Sequence, residues 1–181
     1  MPHHCLKPAL LALTIALAAA PAGASDYPAR KPGLWELTTK DDLGGAPQVA
    51  QHCVDAASDQ ALQQLGKGMA QQMCADVKAS REGDKYIIES TCAMSPKNKM
   101  HNRSVLSGNF QSAYREDTET RFDPPMMGIK STRSRMEARW LGACKPGQKP
   151  GDVILDNGMK INLSALAKGA PKLAMPPLPN R

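Results

Sequence analysis

Residues 34–40 (LWELTTK) alternate, with Trp35, Leu37 and Thr39 on one side and Glu36, Thr38 and Lys40 on the other. A period of two predicts a strand that buries one face. Gly44-Gly45 and Pro47 mark a turn, and Gln48–Val54 (QVAQHCV) reads as a second strand carrying His52 and Cys53. The period then changes. Leu62, Leu65, Met69 and Met73 fall at spacings of three, four and four, which is one stripe of a helix over about residues 57–72. Asp55 or Ser58 is placed to cap it, while Gly66 and Gly68 weaken it by about 1 kcal/mol each. On this reading Met69 and Met73 fill the core.

From Cys74 onward the chain reads as a β-meander. Ala75–Arg81 and Lys85–Ala93 flank a turn at Glu82-Gly83-Asp84, with Cys74 and Cys92 each nine residues from Gly83. A three-residue loop would set these cysteines opposite one another, and a two-residue loop would break that register. The next hairpin joins Tyr114–Phe122 to Ile129–Leu141 through Asp123–Gly128. Pairing residues whose numbers sum to 252 sets Asp117 against Arg135, Glu119 against Arg133 and Arg115 against Glu137. It also sets Tyr114 against Ala138, Thr118 against Ser134 and Thr120 against Thr132. Opposite charges then meet on one face, each pair contributing about 0.2–1 kcal/mol. Lys130 and Arg139 complete the basic run, and Arg139 has no partner within the hairpin. Met100–Gln111 supplies a further strand with a bend at Ser107-Gly108-Asn109, and 153–155 with 159–163 form a small hairpin around Asp156-Asn157-Gly158. The fold class is mainly β: a single antiparallel β-meander or partial barrel of about six to eight strands with one helix.

The ends change the picture. Lys7 precedes an apolar core (PALLALTIALAAA, residues 8–20), followed by Ala22-Gly23-Ala24, the small-residue pattern of a cleavage site. The organisation expected is a signal peptide over 1–24, one β-rich domain over 25–165 and a Pro-rich tail over 166–181. No transmembrane segment is expected once the leader is removed, because a spanning helix needs about 20 apolar residues. One of the 23 Lys and Arg and none of the 17 Asp and Glu lie in the leader, which leaves a mature charge of +5. With few aromatic residues to stack on bases, no nucleic-acid partner is expected. Cys5 leaves with the leader. The remaining Cys53, Cys74, Cys92 and Cys144 are an even set in an exported chain, hence two structural disulfides. Of three possible connectivities, the hairpin favours Cys74–Cys92 and leaves Cys53–Cys144.

These residues taken in order resemble a known family. Lys31-Pro32-Gly33-Leu34-Trp35-Glu36, Cys53, the Gly-Asp turn between Cys74 and Cys92, Gly108-x-Phe110, and Trp140-x-Gly142-x-Cys144 before a Pro-Gly-Asp loop are similar to secreted bacterial domains catalogued as domain of unknown function 3617. The likeness covers roughly residues 31–160. It implies an exported β-rich domain and carries no activity, substrate or catalytic residue.

Candidate chemistry is sparse. A catalytic thiolate wants a basic partner or a C-x-x-C arrangement; the mature chain offers only His52 and His101 as histidines, and its closest cysteines are 18 residues apart, so Cys144 is read as a staple. Copper(I) could use thioethers and imidazoles, with Met100 and His101 as the weak alternative ligands, yet no methionine spacing repeats. No phosphate-binding loop or HExxH pattern occurs. No catalytic residue, cofactor or metal is expected. If the sheet curls, Trp35, Trp140 and Tyr114 could line a pocket for a small apolar ligand. The function expected is a periplasmic, non-catalytic binding or envelope-associated module, with a copper-binding protein or an uncharacterised enzyme as the alternatives.

Overall fold

A computed structural model describes residues 27–167. The leader expected over 1–24 and most of the tail expected over 166–181 lie outside those residues. Nine strands and two helices follow in order: β1 (Gly33–Asp41), β2 (Gln48–Val54), α1 (Ala56–Met73), β3 (Cys74–Glu82), β4 (Lys85–Ser95), β5 (Asn98–Asn109), β6 (Ala113–Met126), β7 (Ile129–Gly142), β8 (Asp152–Leu155), β9 (Lys160–Asn162) and α2 (Leu163–Ala167). All strands join one antiparallel sheet in the order β3-β4-β5-β6-β7-β1-β2-β8-β9, and the sheet does not close. The meander is therefore as expected, with more strands.

The β6–β7 register is the charge-matched one: Asp117 faces Arg135, Glu119 faces Arg133 and Thr120 faces Thr132. Its acid–base pattern extends beyond the hairpin. Lys78, Glu89, Arg103, Glu119 and Arg133 stand opposite one another in turn across β3 to β7, a row of alternating sign. Arg103 reaches Glu89 at 3.5 Å and Arg133 reaches Glu119 at 3.9 Å. Such exposed pairs add little stability, but a slipped register would set like charges together. One pairing differs from expectation. Arg115 does face Glu137, but its Nε donates at 2.8 Å to Asp117 on its own strand. Arg139 gains a neighbour that the hairpin lacks, because β1 places Glu36 opposite it.

The first meander turn corrects the sequence reading. Glu82 pairs with Lys85, so the loop has only two residues, and Gly83 takes the positive φ (+62°) that a tight hairpin demands at its first position. Cys74 nevertheless faces Cys92, because a bulge between Cys74 and Asp76 absorbs the one-residue offset. The bend expected at Ser107-Gly108-Asn109 is likewise absent. All three residues stay paired to β6, and the chain turns after Asn109 instead. Gly108 is required for contact: a Cβ there would lie 2.8 Å from the Ala113 carbonyl oxygen and 2.9 Å from the Tyr114 Cα.

Helix α1 carries the chain from β2 to β3, six strand positions away. Eighteen residues at about 1.5 Å match six intervals of about 4.8 Å, so the helix crosses the sheet once. Asp55 caps it: its carboxylate accepts from the Ser58 amide at 2.7 Å, and the Ser58 hydroxyl faces the Asp55 amide at 2.9 Å. Leu62 and Leu65 are half-buried, but Met69 and Met73 are more than half exposed. They are not core filler, because the helical stripe runs out toward β3, the edge strand, where no further strand receives it.

The core lies on the face shared by Trp35, Leu106, Tyr114 and Ala138, with Val54 and Phe110 packed in and Tyr86, Ile88 and Leu37 around them. Both disulfides form. Cys53–Cys144 joins β2 to the segment after β7, and Cys74–Cys92 staples β3 to β4. The first closes a separation of 91 residues and the second one of 18. Chain entropy then predicts that replacing Cys53 and Cys144 by serine costs about 4–5 kcal/mol, against about 3 kcal/mol for Cys74 and Cys92. Urea denaturation of both double variants checks this order.

Candidate functional site

Tyr27–Pro32 carries no strand pattern, yet it supplies the polar centre of the molecule. The Arg30 amide donates to Asp59 Oδ2 at 3.0 Å, its Nε to Oδ1 at 2.8 Å, and its Nη2 lies 2.7 Å from Oδ1. Both side chains are buried. Asp59 stands in the first turn of α1, where unpaired amides and the helix dipole favour an anion. Arg30 Nη1 lies 3.3 Å from His52 Nδ1. A guanidinium only donates, so Nδ1 accepts and the imidazole proton sits on Nε2. That nitrogen is buried and has no hydrogen-bond partner among the described residues. Burial foremost, then the Arg30 charge, lowers the His52 pKa to about 4, with Asp59 acting in the opposite sense.

Tyr114 belongs to the same centre. Its phenol is pushed up mainly by burial, against the opposing charge and hydrogen bond of Arg30. Its ring stacks on Phe110 at 4.7 Å and tilts against Trp35 at 5.4 Å. Tyr27 is raised to about 12 by burial and by the Glu116 carboxylate.

The sequence-selected tryptophans meet as neighbours in the β1–β7 register. Trp35 is fully buried, and its Nε1 donates to the Lys31 carbonyl at 2.8 Å. Trp140 is half-buried, its Nε1 donates to the Pro32 carbonyl at 3.0 Å, and the Lys31 ammonium lies 3.6 Å above its ring. Gly33, at φ +132°, lies where a Cβ would run into Gly142 and Trp140. Lys31–Glu36 and Trp140–Cys144 thus form one clasp, far apart in sequence, in which both indole N–H groups are already committed.

The same sheet face changes character along the strands. Beyond Tyr86, Leu106 and Tyr114 it carries Ser90, Asn102, Ser104, Thr118 and Thr120, all half-buried. Ser104 and Thr118 hydroxyls meet at 2.7 Å, Thr120 donates to Asn102 Oδ1 at 2.8 Å, and Asn102 Nδ2 reaches Ser90 at 3.5 Å. The opposite face holds two open troughs. One of about 390 Å³ is lined by residues including Lys78, Glu89, His101 and Arg103, and one of about 590 Å³ includes Glu36, Arg115, Glu137 and Arg139.

Met100 and His101 do not converge. Met100 faces Cys92 and Phe122, whereas His101 pairs with Thr91 and Arg121, so consecutive residues of β5 point to opposite faces. His101 instead meets the Thr91 hydroxyl at 3.1 Å. Among the described residues no group of three His, Cys, Asp or Glu is gathered as a metal site.

The family described as a protein of unknown function, DUF3617, matches residues 30–144, more than half of the chain. The chain belongs to DUF3617. Within it, the DUF3617 segment begins at the buried Arg30 and ends at Cys144, so it contains the charged centre, the clasp and both disulfides, and it stops short of β8 and β9. No curated protein and no solved structure matches the chain. Arg30 and Asp59 escaped the sequence reading because neither lies in a periodic pattern. His52 was legible: Ala50, His52 and Val54 share one strand face.

Acid should strip His52 of its role. Its folded pKa of about 4 lies below the unfolded 6.5, so the unfolded chain binds the extra proton and stability falls as pH drops from 6.5 toward 4. The loss expected between about pH 7.5 and about pH 4.5 is roughly 2–3 kcal/mol. Carboxylates held low, such as Asp152 at about 2, weaken mainly below their unfolded 3.8. Urea unfolding of wild type and His52→Gln at both pH values checks the difference: the variant should lose most of the dependence over this range.

Proposed function

We propose that this DUF3617 protein is an exported, non-catalytic binding module of the cell envelope that holds an amphipathic small molecule against the inner face of its sheet. The observation that carries the reading is the gradient on that face. Aromatic and aliphatic side chains give way along the strands to half-buried hydroxyls and an amide: Leu106 to Ser104 and Asn102 on β5, Tyr86 and Ile88 to Ser90 on β4, and Tyr114, past Glu116, to Thr118 and Thr120 on β6. Such a face matches a molecule with an apolar body and a polar head. Export is supported by the leader pattern and by the sulfur chemistry: the four cysteines left after leader removal are all bonded in pairs, as in an oxidising compartment. No helix among the described residues is long and apolar enough to cross a membrane.

Absence of catalysis is part of the proposal. The buried acid, Asp59, is fully engaged by Arg30, and His52 is held neutral beside the guanidinium. A general acid or base needs a group free to exchange its proton with substrate, and this centre is committed to internal bonds.

Protein isolated from its native host, unreduced, supplies the test. The mature chain should begin at Ser25, present no free thiol, and release an amphipathic compound on organic extraction. Thr118→Leu with Ser104→Leu should abolish that co-purification while the fold is retained by circular dichroism. An empty wild-type protein, or a retained compound in the double variant, would contradict the reading.

A further inference from the structure

One end of the sheet carries a group of exposed methionines that the core does not use; the exposed Leu43, Leu141 and Met159 lie elsewhere. The row Cys74, Cys92, Met100, Phe122 crosses β3 to β6 there. Beyond it lie Met94 near the β4–β5 turn, Met73 at the end of α1, and the β6–β7 tip with Met126 and Met127. Met73, Met94 and Met126 are exposed, and Met127 is 94% exposed.

The tip is a finger. β5 stops pairing with β6 at Asp123, and β1 stops pairing with β7 at Ser134, whereas β6 and β7 continue to Met126 and Ile129. Beyond Asp123 β6 has only β7 beside it, and beyond Arg133, which Asp42 still bonds at 2.9 and 3.0 Å, β7 toward the tip has only β6, with Met126 opposite Ile129. The turn itself is Met127-Gly128, with φ +52° and +82°. Two positive φ values make a tight hairpin in which asparagine or aspartate followed by glycine is the favoured choice. Methionine is poorly suited to that backbone and gains no burial from it. A residue that breaks the local rule without a folded-state gain marks a functional position.

The charge around the tip is one-sided. Lys97, Lys99 and Lys130 are exposed beside it, against Asp123 alone in segments 94–100 and 122–130. We propose that the β6–β7 tip is an insertion finger for an anionic lipid surface, with Met126 and Met127 entering the interface and the three lysines meeting phosphate headgroups. A convex finger offers no concavity to hold a partner's side chain, whereas a fluid interface closes around it. Methionine, unbranched and adaptable, fits that medium, and lysines at a membrane surface add attraction that salt weakens. The site lies outside the inner face, so the inference goes beyond the binding reading above and does not need a bound small molecule.

Co-sedimentation of the oxidised mature protein with vesicles tests it. Wild type should bind vesicles of phosphatidylglycerol with phosphatidylethanolamine and not those of phosphatidylcholine alone, and about 0.5 M salt should weaken binding several-fold. Met126→Asp with Met127→Asn should lower the partition by at least about tenfold. Asparagine suits the positive φ, so circular dichroism should show an intact fold. Charge removal by Lys97→Gln, Lys99→Gln and Lys130→Gln, which leaves the turn untouched, should lower it comparably. Failure of wild type to bind anionic vesicles would overturn the proposal, as would binding that survives the methionine substitutions. Capture of a protein by the tip, with no lipid binding, would assign the finger to a protein partner and overturn it too. None of these outcomes bears on the mature terminus or on extraction, which test the binding reading separately.

Discussion

The burial of Arg30 together with Asp59 is the constraint on which the arrangement of the other parts depends. Two charges leave water, and their mutual bonds are the main compensation: the carboxylate accepts from the Arg30 amide and guanidinium, with Gln63 at 3.4 Å, while His52 accepts from the guanidinium. The pair joins the lead-in segment to the first turn of α1, and His52 adds β2 to the same centre. With the helix start fixed against the sheet, its length delivers the chain to the far edge, where the meander begins. Tyr114, Phe110 and Trp35 stack around this polar centre and keep water from it.

Around that centre the two sheet faces have separate tasks. The outer face carries the alternating charge row from Lys78 to Arg133, which selects a register more than it adds stability. The inner face carries the core and then the hydroxyl rows. The disulfides act at opposite ends: Cys53–Cys144 beside the Trp140 clasp, Cys74–Cys92 at the methionine-rich end. Lys31, Gly33, Trp35, Trp140 and Gly142, which carry the likeness described from the sequence, contact one another and so are chiefly structural in this protein. The hydroxyl rows and the β6–β7 tip lie elsewhere on the sheet.

The sheet was legible wherever pattern and charge coincided. Alternation located β1, the Gly44-Gly45 and Pro47 turn set off β2, and opposed charges located the β6–β7 register to the residue, because a slip by one would reverse every side chain. Cys74–Cys92 was legible by a reasoning whose geometry differs: the loop is shorter than the cysteine spacing implies, and a bulge compensates, which no local pattern announces. Glycine signals both turns and close approach, so the sequence predicts a bend at Gly108 where the strand runs on and Tyr114 is the reason for the glycine. Met69 and Met73 kept the helical spacing without the burial, since periodicity reports a face and not what stands opposite it. The Arg30–Asp59–His52 centre is a tertiary fact: one residue from an aperiodic lead-in, one from a helix start and one from a strand. Only the shared parity of His52 with Val54 pointed inward.

A double-mutant cycle at Arg30 and Asp59 tests the central claim most directly. Urea unfolding should show Arg30→Met and Asp59→Leu each destabilising the oxidised protein by about 3–5 kcal/mol, because each strands a buried charge. The double variant should be substantially more stable than the sum of the two losses implies, since neither charge remains. Single variants within about 1 kcal/mol of wild type, or losses that simply add, would show that the helix is held to the sheet by something other than this pair.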